Sequence, residues 1–223
     1  MGQWIQLTAK DGYVLDAYVA QPAQPEGVLI VLQEIFGVNS HIQTVCNRFE
    51  KRRYIAIAPA LFDRVKKSQS LGYDAESVAQ GRALKAQVSD EQALMDVQAA
   101  IDWAGKEGLP VAVAGFCWGG TLAWLAAARL SGLCAAVAYY GTNIAGYLDD
   151  VPRVPVLLHF GEHDTNIPPE KVDAIARAYP DVALYRYPAG HGFNCEDRPA
   201  FHARSAAAAT ERTKEFLKEH IPC

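Results

Sequence analysis

The chain has little of what marks several protein classes. Its five cysteines, at 46, 117, 134, 195 and 223, form no C-x-x-C pair and no even framework. Neither a structural zinc site nor a disulfide scaffold is therefore indicated, and reduced thiols are expected. Lys and Arg number 21 against 25 Asp and Glu, and no basic run interleaves with aromatics, so the electrostatic footprint of nucleic-acid binding is missing. The short basic group Arg64, Lys66 and Lys67 reads as a solvated loop. No apolar stretch approaches the length of a membrane span. The first residues carry Gln3, Lys10 and Asp11 rather than the apolar core of a signal peptide. Met1-Gly2 is followed by Gln6 where a myristoylation signal has Ser or Thr. No repeat and no interdomain linker is visible. The expectation is a soluble, cytoplasmic protein without metal or other cofactor, a monomer or weak homo-oligomer. Its partner is expected to be a small molecule, with no nucleic acid and no membrane.

What is present points to a packed α/β domain. Of 223 residues, 50% are hydrophobic and 21% charged, with a mild net charge of −4. That is enough apolar side chain to cover both faces of a sheet and too little charge for disorder. Ile5 and Leu7, then Tyr13, Leu15, Ala17 and Val19, flank Asp11-Gly12 as a hairpin. The period then changes. Strand and helix alternate through Val28–Leu32, Ser40–Lys51, Tyr54–Ala58, Glu91–Lys106 and Val111–Ala114, followed by a helix from Thr121 to Leu130. Leu133–Tyr140, Val156–Phe160, Glu170–Ala178, Leu184–Tyr187 and a last helix near Arg198–His220 continue the series. Such alternation predicts a single domain over residues 1–223 with a mostly parallel sheet and helices on both faces. Residues 63–89 are polar and weakly periodic, and they fall where a cap over a site would lie.

The sharpest local signal is Gly115-Phe116-Cys117-Trp118-Gly119-Gly120, a cysteine on a glycine-flanked turn between an apolar strand and an apolar helix. This is the pattern of a nucleophile elbow, in which glycines relieve collisions and the helix N-terminus favours thiolate over thiol. Two partners follow in the order α/β-hydrolases use. Asp164 stands after the strand Val156–Phe160, and His191 stands in Gly190-His191-Gly192 after the strand Leu184–Tyr187. His159 lies inside a strand and reads as core. His163 is a rival base beside Asp164, but the loop around His191 suits a histidine that must reach across the sheet edge. His41, His202 and His220 read as surface residues. Glu34 follows the apolar strand Val28–Leu32, where a carboxylate is costly without a partner. The N–H groups of Ile35 and Trp118 occupy the positions of an oxyanion hole.

With these residues the chain resembles the dienelactone hydrolase, or carboxymethylenebutenolidase, family. The resemblance spans nearly its whole length and rests on Gln33-Glu34-Ile35-Phe36-Gly37-Val38-Asn39, the Cys117 elbow, Tyr139-Tyr140-Gly141, Gly161-Glu162-His163-Asp164 and Ala189-Gly190-His191-Gly192-Phe193. It implies an α/β-hydrolase fold and hydrolysis of a carboxylated lactone. It also implies that Glu34 faces the thiol and helps activate it when substrate binds, and that Arg82 binds the substrate carboxylate. A second arginine of the family, four residues after the histidine, is Cys195 here, and Arg198 lies three residues further on as a replacement. Cys195 is either a plain buried thiol or a reversible partner of Cys117. Phe36, Trp118, Tyr139 and Tyr140 are candidates to line the pocket.

A thiolate leaves a tetrahedral intermediate far more readily than an amine, so lactones, activated esters and thioesters are favoured over amides. Three expectations follow: a hydrolase of dienelactone-type lactones through a Cys117 acyl-enzyme, a broader esterase or thioesterase of the same fold, and a catalytically silent binding protein.

Overall fold

The computed structural model describes residues 2–221; Cys223 lies outside them. Eight strands form one sheet: β1 (Gln3–Thr8), β2 (Val14–Ala20), β3 (Gly27–Leu32), β4 (Tyr54–Pro59), β5 (Val111–Phe116), β6 (Ala135–Tyr139), β7 (Val156–Gly161) and β8 (Ala183–Tyr187). Their spatial order is β1-β2-β4-β3-β5-β6-β7-β8. The Asp11-Gly12 hairpin pairs β1 with β2, and β2 runs antiparallel to β4. From β4 to β8 every pairing is parallel. Every residue of β3, β5, β6 and β7 is buried. This explains their continuous Val, Leu, Ile and Ala composition, because helices cover both faces of a parallel sheet.

The helices are α1 (Ser40–Glu50), α2 (Ala75–Lys85), α3 (Asp90–Gly105), α4 (Trp118–Arg129), α5 (Pro169–Ala178) and α6 (Ala203–His220). Side-chain caps start three of them: Asn39 accepts from the Ile42 N–H, Asp74 from that of Ser77, and Ser89 with Gln92 forms a capping box. The last helix begins at Ala203, five residues later than its apolar pattern suggests. Pro199 disfavours helical backbone at Arg198, and the stretch forms turns instead, with the Arg198 N–H donating to the Cys195 carbonyl and the Phe201 N–H to that of Arg198; the side chain of Arg198 serves the site. No helix among the described residues is long and apolar enough to cross a membrane.

Two features position the site. The chain passes from β3 to β4 on one side, then returns to β5 on the other, so the sheet changes winding direction between β3 and β5. Ligands of open α/β sheets bind beyond the carboxyl ends of the strands at such a point. Residues 63–89, which sequence leaves without regular structure, contain α2. A Cβ at Gly81 would stand 2.0 Å from the Ile35 carbonyl oxygen, so the glycine allows α2 to lie with its backbone on the loop after β3.

Candidate active site

Four segments deliver their side chains to the carboxyl end of the sheet: the loop after β3, the turn after β5, and the loops after β7 and β8. At the turn after β5, Cys117 has φ +55° and ψ −115°, a conformation rarely adopted by a residue with a side chain. Backbone held there costs of order 1–3 kcal/mol and survives only where the surroundings fix it. They do so on both sides. The Cys117 N–H donates to the Tyr139 carbonyl at 3.0 Å, and the Gly119 N–H donates to that of Gln33 at 3.1 Å. A Cβ at Gly119 would meet the Gln33 and Leu32 carbonyl oxygens at 2.5 Å, so only glycine permits this approach.

Asp164 and His191 meet as the sequence predicts. His191 Nδ1 and Asp164 Oδ2 are 2.7 Å apart. An ionised carboxylate only accepts, so Nδ1 carries the proton and Nε2 is left for the thiol. Asp164 Oδ1 accepts from the N–H groups of Asn166 at 2.8 Å and Ile167 at 3.2 Å, which fixes the carboxylate. Burial disfavours the imidazolium, but the thiolate of Cys117 and the carboxylate of Asp164 outweigh it and push the His191 pKa up to about 10. Once Cys117 is ionised, a protonated His191 is thus its favoured partner.

Glu34 is buried, and its side chain is 1% exposed. Its partner is Arg198, with Nη1 to Oε1 at 2.9 Å. The guanidinium lies 5.7 Å from the ring centroids of both Phe36 and Tyr73, and a Cβ at Gly192 would stand 2.4 Å from its Nη1. Glycine at 192, with φ +82°, therefore serves the turn after His191 and also leaves room for the arginine. The Tyr73 hydroxyl is 3.5 Å from Glu34 Oε2 and receives hydrogen bonds from the Cys195 thiol at 3.2 Å and from Asn39 Nδ2 at 3.0 Å. Burial pushes the Cys195 thiol up to about 11, so it is protonated near neutrality. Gln33 braces the loop, donating to the Glu34 carbonyl and accepting from the Leu61 N–H. The N–H groups of Ile35 and Trp118 have no protein acceptor among the described residues.

A cavity of about 300 Å³ opens above these groups. Cys117 and His191 line it with Ile35, Phe36, Trp118 and Arg198, and α2 contributes Val78, Arg82 and Lys85. Arg82 and Lys85 make no ion pair among the described residues, and no carboxylate lines the cavity. Sequence reading did not single out Lys85, although its spacing of three from Arg82 places both on one helix face.

The structure corrects two expectations. Neither Tyr139 nor Tyr140 lines the cavity: the Tyr139 ring stacks on Phe116, 4.8 Å between centroids, with its hydroxyl turned away to Thr213 on α6, and Tyr140 is fully buried behind His191 and Phe193. His41 is not a surface residue but 4% exposed, packed edge-on to Phe116 at 5.8 Å. Burial lowers its pKa. Its place at the start of α1 gives no hint that this end of the helix faces inward. His159 is core, with its ring nitrogens bonded to the Tyr187 and Thr213 hydroxyls at 2.8 and 3.0 Å, whereas His163 is exposed and Asp164 turns to His191 instead.

The arrangement can be set beside known proteins. The model of the "Dienelactone hydrolase family" matches residues 15–221. A Pseudomonas putida protein named carboxymethylenebutenolidase is 32% identical, over 96% of this chain and 94% of its own. A Yersinia pestis protein provisionally given the same name is 38% identical, over 94% of this chain and 85% of its own. A solved Klebsiella pneumoniae structure, provisionally titled a dienelactone hydrolase, superposes with a TM-score of 0.85 at 30% identity and covers 97% of this chain and 98% of that one. A fold with its site at the winding change between β3 and β5 and a family match over nearly the whole chain lead to one conclusion: the chain belongs to the dienelactone hydrolase family and is a hydrolase of that family.

Proposed function

We propose that the protein hydrolyses lactones that carry a carboxylate, with Cys117 as the nucleophile and an acyl-enzyme as the intermediate. The observation that carries this reading is the pairing of a strained, histidine-facing thiol with two cations that have no carboxylate partner in the same cavity. A cavity lined by Arg82 and Lys85 and by no acid favours an anionic ligand, and a guanidinium fork suits a carboxylate.

The thiolate of Cys117 attacks the lactone carbonyl, and the oxyanion rests on the N–H groups of Ile35 and Trp118. Collapse breaks the ring C–O bond, and the proton held on His191 neutralises the departing oxygen. Neutral His191, oriented by Asp164, then removes a proton from water, which attacks the thioester and releases Cys117. Glu34 assists at the start. Substrate anion draws on the same local positive charge as Glu34, which loosens the Arg198 pair and lets the carboxylate turn toward Cys117, take the thiol proton and pass it to His191, so that thiolate and imidazolium form as substrate binds. Arg198 does this in place of the family arginine that Cys195 replaces.

Steady-state hydrolysis of a dienelactone beside a neutral p-nitrophenyl ester tests the reading, with Cys117→Ala and Arg82→Ala in parallel. A hydrogen bond to a charged group contributes about 1.5–3 kcal/mol. Arg82→Ala is therefore expected to lower lactone kcat/KM by about 10- to 150-fold while leaving the neutral ester nearly unchanged. Equal turnover of both substrates, indifferent to Arg82 and abolished by Cys117→Ala, would keep the nucleophile and replace the lactone with a broader range of esters or thioesters. Undiminished turnover in Cys117→Ala would refute the mechanism.

A further inference from the structure

Behind the loop that carries Glu34, three metal-ligand side chains come together, two from neighbouring turns of the chain and one from far along it. Glu34 follows β3, His41 lies in the first turn of α1 and Cys195 lies four residues past His191. One donor atom from each lies within 4.8 Å of the others, and all three residues are buried. Glu34 and Cys195 are 0% exposed and His41 is 4% exposed.

Their existing partners leave capacity for a ligand. Arg198 occupies Glu34 Oε1, but Oε2 has only the Tyr73 hydroxyl at 3.5 Å, beyond the ordinary range for an O–H donor. Cys195 makes one weak bond, from its thiol to the Tyr73 oxygen. His41 makes fewer still: its Nε2 is buried and has no hydrogen-bond partner. Leaving such a group unpaired is unfavourable, and native interiors seldom do so without a reason. The Phe116 ring packed against it offers no acceptor or donor in compensation. A neutral imidazole always offers one unprotonated nitrogen, which is what a cation needs.

We propose that Glu34, His41 and Cys195 bind a divalent cation of the zinc class. One thiolate, one imidazole and one carboxylate form a borderline ligand set that suits zinc and disfavours magnesium or calcium, which take oxygen. Ligands held about 2.0–2.3 Å from one tetrahedral ion stand roughly 3.3–3.8 Å apart, so donors that lie within 4.8 Å of one another need close by no more than about 1.5 Å on binding. Cys195 binds as thiolate and its proton passes to solvent. The fourth position is open to water or to the Tyr73 hydroxyl. A Glu34 carboxylate held by the ion cannot turn toward Cys117, so bound zinc lowers turnover. This last consequence rests on the role given to Glu34 above; the binding does not.

Cobalt(II) is the probe, titrated into the Cys117→Ala protein so that the pocket thiol cannot act as a ligand. The expected result is a thiolate-to-cobalt charge-transfer band that zinc competes away. Cys195→Ser in that background abolishes the band, and His41→Gln weakens cobalt affinity by about tenfold or more. Circular dichroism of the metal-free variants confirms that each is folded. Zinc raises the Tm of Cys117→Ala and not that of Cys117→Ala/Cys195→Ser. Absence of the band, or a band that survives Cys195→Ser, overturns the proposal. Zinc that binds through these residues yet leaves wild-type turnover unchanged supports the site and overturns the activating role of Glu34.

Discussion

The ion pair between Arg198 and Glu34 should be one of the most costly interactions in the molecule to break from one side. Glu34 is 1% exposed and Arg198 18% exposed at the side chain, with 2.9 Å between them. Removing one member of a buried pair costs about 3–5 kcal/mol, because the other charge is left desolvated. Arg198 retains some contact with water and Tyr73 offers a distant hydroxyl, so Arg198→Met should lie near the lower end, about 3 kcal/mol. The same argument says that removing both charges hurts less than the sum of the single changes. The double variant Glu34→Gln/Arg198→Met should recover about 2 kcal/mol of coupling, within the range seen for contacting residues. Urea unfolding of the four proteins measures this, with midpoints compared at constant slope. An Arg198→Met cost within about 0.5 kcal/mol of zero, or a cycle additive to within about 0.5 kcal/mol, would refute the claim that Arg198 has taken over as the partner of Glu34.

Further predictions concern the helix over the site and two histidines. Gly81→Val inserts side-chain atoms where a Cβ alone already meets the Ile35 carbonyl oxygen at 2.0 Å. It should displace α2 and the oxyanion loop, costing about 1–3 kcal/mol of stability and lowering kcat/KM, as thermal unfolding and kinetics will register. The raised pKa of His191 stabilises the fold fully below pH 6.5, and this contribution is lost as pH rises toward about 10. In Cys117→Ala the imidazole should titrate lower by NMR and that loss should begin at lower pH. Burial, aided slightly by Arg212, depresses the pKa of His159 to about 3. The unfolded chain therefore binds a proton that the folded chain refuses as pH falls from 6.5 toward 3, and stability should drop across that window. His159→Gln should flatten the drop; an unchanged pH profile would count against a neutral buried ring.

Much of the fold was legible because its signals are local. A continuous apolar run makes a buried parallel strand, and Asp11-Gly12 makes a hairpin, whatever the rest of the chain does. The positions of Cys117, Asp164 and His191 were legible for a related reason: each follows a recognisable strand, and a parallel sheet gathers strand ends on one edge. What escaped depends on close approach rather than pattern. Helix α2 buries only Gly81 and Leu84, so its periodicity is faint, and its one strong signal is a glycine whose purpose appears only against the Ile35 carbonyl. The direction of Tyr139 was hidden because alternation along a doubly covered strand leads into packed layers on both faces. Arg198 reads as helical until Pro199 is weighed. The gathering of Glu34, His41 and Cys195 has no short spacing to reveal it, since two of its three members lie more than a hundred residues apart in the chain.

The central claim is that Cys117 forms a covalent acyl-enzyme, and a rapid acid quench during turnover of a dienelactone tests it most directly. Peptide mapping by mass spectrometry should find the opened lactone attached to the peptide that contains Cys117, with no adduct on it in Cys117→Ala. An adduct on another residue, or full turnover by Cys117→Ala, would contradict the account.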